Sequence, residues 1–102
     1  MAVNPRYLSE SFDETAASEN ILQARHVFEK GNPLYALVHV SNTFTGSVQL
    51  ECSPPDAAAW VACATAITAA GAVSVLIPAD ADYRFNVTME SGDIDCFMAL
   101  PA

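Results

Sequence analysis

The chain has 102 residues, of which 52% are hydrophobic and 16% charged, and it carries a net charge of −8. That length fits one domain with one core. Four Lys/Arg against twelve Asp/Glu argue against nucleic acid, whose phosphates require a basic patch, and against an anionic membrane surface.

Residues 1–18 read as an N-terminal arm, with the domain proper over residues 19–102. Pro5, three serines and Asp13-Glu14 interrupt the few apolar side chains of the arm. Tyr7, Leu8 and Phe12 stand out, because a disordered tail rarely carries three such groups in so short a span. They either staple the arm to its own domain or dock on a neighbouring subunit. A packed first strand or a single helical turn is the alternative.

Asn20 to Lys30 alternates as a strand, with Leu22, Ala24, His26 and Phe28 on one face. It also reads as a short helix. Gly31-Asn32-Pro33 then marks a turn. Leu34 to Ser41 is almost wholly apolar and reads as a strand covered on both faces. One face meets the core, and a second subunit is the natural cover for the other, which makes Tyr35, Leu37 and His39 candidate contacts. His39 is either a ligand or a histidine bonded to a backbone carbonyl or set in an interface.

Ser47 to Cys52 is the cleanest half-buried strand, with Val48, Leu50 and Cys52 on one face and Ser47, Gln49 and Glu51 on the other. Pro54-Pro55-Asp56 ends it, and Trp60 opens the returning strand of an expected hairpin. Residues 57–70 are ambiguous. Alanine content, an N-cap at Asp56 and Gly71 as the terminating glycine give a helix of about four turns. Trp60, Val61, Thr65, Ile67 and Thr68 argue for strand.

Ala72 to Ile77 is a strand ended by Pro78. Asp82 to Glu90 alternates Tyr83, Phe85, Val87 and Met89 against Arg84, Asn86, Thr88 and Glu90. Ser91-Gly92 is a turn signal, and Ile94, Cys96, Met98 and Leu100 share a face, so residues 82–100 read as a C-terminal hairpin. The expected core is Val48, Leu50, Trp60, Phe85, Val87, Ile94 and Met98. About seven strands with turns at ~8–12-residue spacing describe an all-β, sandwich or jelly-roll-like domain.

Chemistry is sparse. Nucleophilic catalysis requires a base beside a nucleophile, and His26 and His39 are the two candidates, on different strands. No catalytic set, metal set or cofactor is expected. Asp80 and Asp82 read as a solvated bend rather than a metal or carboxylate pair, and Gly46 and Gly92 are too isolated to cradle phosphate. Cys52, Cys63 and Cys96 are odd in number and embedded in apolar runs, so they read as reduced thiols of a cytosolic product. Met1 to Glu14 has no apolar core of a signal peptide, and no apolar run is long enough to cross a bilayer. Trp60 either stacks on a sugar or fills the core. The low charge suits a chain that buries surface against partners, so a homo-oligomer is expected.

Phe44-Thr45-Gly46-Ser47-Val48-Gln49-Leu50, a turn, Trp60-Val61, Ile77-Pro78, Tyr83-Arg84-Phe85 and Ser91-Gly92-Asp93-Ile94 together resemble the small β-sandwich virion proteins of tailed bacteriophages. The likeness spans about residues 44–100. It departs from that pattern at Pro54-Pro55-Asp56 and in the alanine-rich stretch after it. The resemblance implies strand rather than helix around Trp60. It also implies a non-enzymatic capsid decoration or cement protein, a head fibre, or a neck or tail adaptor, commonly a homotrimer. The partner would be the major capsid protein or another virion protein, on the outer capsid surface of a particle made in a bacterial cytoplasm.

Overall fold

The structure, a computed structural model, describes residues 7–23, 34–53, 59–78 and 81–100. Nine strands occur among these residues: β1 Tyr7–Phe12, β2 Ala16–Ala17, β3 Leu22–Gln23, β4 Leu34–Ser41, β5 Phe44–Ser53, β6 Val61–Ala62, β7 Gly71–Ile77, β8 Asp82–Gly92 and β9 Ile94–Ala99. They form two antiparallel sheets. The first runs β1-β9-β4-β7, and the second runs β2-β8-β5-β6 with β3 also on β8. The all-β sandwich expected from the sequence is present.

β2 and β3 lie along the same edge of β8, opposite Val87-Asn86 and Tyr83-Asp82. They act as one strand broken at Ser18, whose N–H donates to the Phe85 carbonyl at 2.8 Å and whose Oγ accepts from the Phe85 N–H at 3.1 Å. Counting them as one leaves eight strands, ordered first-eighth-third-sixth and second-seventh-fourth-fifth. First pairs with eighth, second with seventh, third with sixth and fourth with fifth. That is a long hairpin rolled onto itself, the jelly-roll order. It exceeds the expected seven strands because residues 7–12, expected as part of an arm, form its first strand, β1.

Period-two patterning fills the space between the sheets. Leu8, Phe12, Ala36, Val38, Val40, Ile77, Ile94, Cys96 and Met98 enter from the first sheet. Leu22, Val48, Leu50, Cys52, Tyr83, Phe85 and Val87 enter from the second. Each fully buried large side chain is worth about 1.5–3 kcal/mol. Six of the seven expected core residues, all but Trp60, are found here.

Three expectations are corrected. Residues 7–12 are not an arm but a full strand, in register with β9 from Tyr7↔Ala99 to Phe12↔Ile94. Leu8 and Phe12 are 5% and 7% exposed, inside their own core, so they are not free to dock on a capsid subunit. The Glu10 carboxylate fastens the next bend, accepting the N–H groups of Glu19 and Asn20 and the Asn20 amide, each at 3.0 Å. The 18/19 boundary therefore falls inside the sandwich.

The C-terminal hairpin is not one. β8 has β5 on one edge and β2 and β3 on the other, so β9 finds its partners, β1 and β4, in the opposite sheet. The chain changes sheet at Gly92, beside the similar corner at Asn42-Thr43, and the Asp93 N–H donates to the Thr43 carbonyl at 3.1 Å. Gly92 has φ 91°, and a Cβ there would meet the Thr43 oxygen at 2.2 Å, so this corner requires glycine.

Residues 59–70 are neither helix nor continuous strand. β6 pairs with β5 through Glu51↔Ala62 and Cys52↔Val61, and one isolated bridge joins Ile67 to Val48. The hairpin around Trp60 is reduced to these contacts, and Gly71 begins β7 rather than ending a helix. The expected turns at Gly31-Asn32-Pro33 and Pro54-Pro55-Asp56, most of the strand from Asn20 to Lys30, and His26 lie outside the described residues.

Candidate functional site

The outward faces of the two sheets differ in kind. On the second sheet, Glu51 accepts from Arg84 Nε at 2.8 Å and from Asn86 Nδ2 at 3.3 Å. Gln49 Nε2 donates to the Ala64 and Leu50 carbonyls at 2.6 and 3.1 Å. Arg84 lies 4.6 Å from the centre of the Trp60 ring. Trp60 is partly exposed and sits outside the core, which corrects the expectation that it fills it. A ring followed by two-residue β6 and irregular chain has no ladder to hold it against the opposite sheet. Glu51, Arg84 and Asn86 on this face are thus bonded to one another.

The outward face of the first sheet exposes large apolar side chains among small polar ones. Strand register aligns Tyr7, Ala99, Leu37 and Ser74 in one row and Ser9, Phe97, His39 and Ala72 in the next. Tyr35 faces Leu76 across β4 and β7. Tyr7, Tyr35, Leu37 and Leu76 are 61, 63, 45 and 52% exposed. Tyr7 stacks on Phe97, with ring centres 6.1 Å apart. Among the described residues the outward positions of these strands carry one carboxylate, Asp95 at the end of the face, which accepts from Ser11 Oγ at 2.6 Å and Asn42 Nδ2 at 3.3 Å. A contiguous exposed apolar face of this kind marks an interaction surface.

Of the six contact residues expected from the sequence, Tyr7, Tyr35, Leu37 and His39 come together here, while Leu8 and Phe12 point into the core. Leu76 and Phe97 were missed. Phe97 is the opposite-parity neighbour of the buried Cys96 and Met98, so alternation alone pointed to it. Leu76 lies in a run apolar on both faces, where alternation assigns no side.

Beside β7 the sandwich is open. A groove of about 650 Å³ lies between β7 and the segment 63–70, with Ile67, Val73 and Val75 among its lining residues. Among the described residues that line it, no nucleophile lies beside a histidine or carboxylate base. Cys63 is a thiol whose Sγ donates to the Leu50 carbonyl at 3.5 Å. Burial, and then the neighbouring Cys52, push it up to about 12, so it is protonated at neutral pH and a poor nucleophile. Burial likewise raises Cys52, opposed by its hydrogen bond with Cys63. All three cysteines are unpaired. Among the described residues no three His, Cys, Asp or Glu side chains gather into a set able to hold a metal ion.

No protein-family model matches the chain, and neither the curated proteins nor the solved structures contain a match.

Proposed function

We propose that this chain is a non-enzymatic structural protein that works by association through the outward face of its first sheet. The observation that carries this reading is the exposed apolar surface of Tyr7, Tyr35, Leu37 and Leu76 on a protein of net charge −8. Buried apolar area contributes roughly 25 cal/mol per Å², so large apolar side chains on a sheet face are worth most when covered. The particular role is a capsid decoration or cement protein, bound as a homo-oligomer to the outer surface of a tailed-phage capsid. That choice rests on the resemblance over residues 44–100. It agrees with a jelly roll, an architecture that viral capsid domains use, and with a negative charge better suited to an outer surface than to packaged DNA.

Co-sedimentation tests it. The protein should pellet with the capsids of its own phage, and Leu37→Asp should weaken that binding without unfolding the domain. A protein that stays in the supernatant with assembled shells overturns the capsid role. Labelling at the neck or tail in virion images would make it an adaptor. Carbohydrate binding by the second sheet has one observation in its favour, the partly exposed Trp60 among polar side chains. It ranks second because Arg84 already lies over the ring on which a sugar would stack.

A further inference from the structure

β7 ends the first sheet, and among the described residues no strand pairs with its outer edge. A sheet edge presents a row of backbone donors and acceptors ready to pair, and proteins usually guard it with charge, proline or a bulge. β7 has none of these. Gly71–Ile77 reads GAVSVLI, pairs with β4 in unbroken register from Ile77↔Leu34 to Gly71↔Val40, and is exposed over Gly71 to Ser74. The uncharged stretch around it runs from Ala57 to Ala79.

The strand is also nearly its own complement. Turned about Ser74 and laid antiparallel, Val73 meets Val75, Ala72 meets Leu76 and Ser74 meets Ser74. Each pair falls on one side of the sheet, because an antiparallel register of this parity preserves faces. Valine pairs on adjacent strands are among the favourable cross-strand contacts. There is room for them. Val73 shares the parity of the buried Ile77, yet it is 43% exposed, so the second sheet does not cover it. The groove of about 650 Å³ lies beside it.

The self-complementary register selects a second copy as the occupant, and charge does not oppose it at the seam itself. Two copies of net charge −8 repel over most of their surface, and this seam brings no charged side chain to the axis. We infer that β7 pairs along its free edge with β7 of a second copy, antiparallel about a twofold axis at Ser74. The two four-stranded sheets then join into one of eight strands. The contact is isologous and closes at two copies, not the three that the resemblance implies. It uses the edge rather than the face, and it stands whether or not the face binds a capsid.

The test is oligomeric state combined with cross-linking. Light scattering on the full chain should give twice the monomer mass, and Ser74→Lys should shift it to monomer by weakening the pair about tenfold or more, because two like charges meet on the axis. Facing residues on antiparallel strands have Cα atoms ~4.5–5.5 Å apart, within disulfide range. Ser74→Cys should therefore form a covalent dimer under mild oxidation. Ala72→Cys, whose partner is Leu76, should not, nor should the parent chain. A monomer or trimer in solution, or Ala72→Cys cross-linking as readily as Ser74→Cys, overturns the inference. Circular dichroism on each variant confirms folding, since Ser74 and Ala72 are exposed.

Discussion

The guanidinium of Arg84 lies 4.6 Å from the ring centre of Trp60, the one tryptophan in the chain. The same side chain donates from Nε to Glu51 at 2.8 Å, with the two side chains 25% and 13% exposed. One cation thus fixes the ring to the outward face of β5 and β8, where short β6 gives it little backbone support. Arg84→Ala should cost about 1–2 kcal/mol, combining a cation–π contact with a charged hydrogen bond, both discounted for exposure. It should also make Trp60 emission easier to quench. Arg84→Lys should recover part of the stability, because lysine keeps the charge but not the planar fork. Urea titration and acrylamide quenching check this. Unchanged quenching in Arg84→Ala would mean the ring is held by something else.

Leu8 and Phe12 give the clearest division between a strand and a docking arm. Both lie in the core of their own domain, and Tyr7 beside them is 61% exposed. Leu8→Ala should destabilise the isolated protein by about 2–5 kcal/mol and Phe12→Ala by about 3–5 kcal/mol. Tyr7→Ser should stay much milder, because it removes only an outward stacking contact with Phe97. Chemical denaturation of the purified chain reads all three. Stability unaltered by Leu8→Ala would return residues 7–12 to the role of an arm.

Why that strand was hard to read shows where sequence patterning stops. Leu8, Glu10 and Phe12 share one parity, and a carboxylate in the middle of an apolar face hides the alternation. In the fold Glu10 is at a sheet edge, where three N–H groups satisfy it. β5, β8 and β9 were legible because nothing interrupts Val48-Leu50-Cys52, Tyr83-Phe85-Val87 or Ile94-Cys96-Met98. Alternation gives a strand its face but not its neighbour, so the pairing of β8 with β5 rather than β9 was not legible. Residues 59–70 were unreadable because alanine carries little information about burial, and few backbone bonds hold the segment. The apolar face showed through Tyr35, Leu37 and His39, which alternate with buried Ala36, Val38 and Val40.

Gly46 stands where the register of β5 on β8 shifts, between Thr45↔Ser91 and Gly46↔Met89. A Cβ there would lie 2.2 Å from the Thr88 carbonyl oxygen and 3.1 Å from the Met89 Cα, both backbone atoms that cannot swing aside. Gly46→Ala should therefore push the two longest strands apart at the bulge and cost about 2–4 kcal/mol. Thr45→Ala, one residue away and exposed, should stay within about 0.5 kcal/mol. Thermal melts of the pair, compared at equal concentration, separate a backbone clash from a general intolerance of this strand.

Cys96 links the core to pH. It is 1% exposed, and burial, followed by the nearby charges of Asp95 and Glu10, pushes its thiol up from 9.0 to about 12. The folded state therefore holds the proton more tightly than the unfolded chain. Its contribution is fully present below pH 9.0 and is lost as pH rises toward about 12, because the unfolded thiol ionises first. The slope from this group approaches about 1.4 kcal/mol per pH unit inside that window. Cys63 acts in the same direction. Cys96→Ala should be less stable than the parent at neutral pH, because it leaves a small cavity, yet lose less on going to alkaline pH. Denaturant titrations of the two proteins at neutral pH and near pH 10.5 measure that difference. Parallel losses in both would show that Cys96 ionises no later in the folded protein than in the unfolded chain.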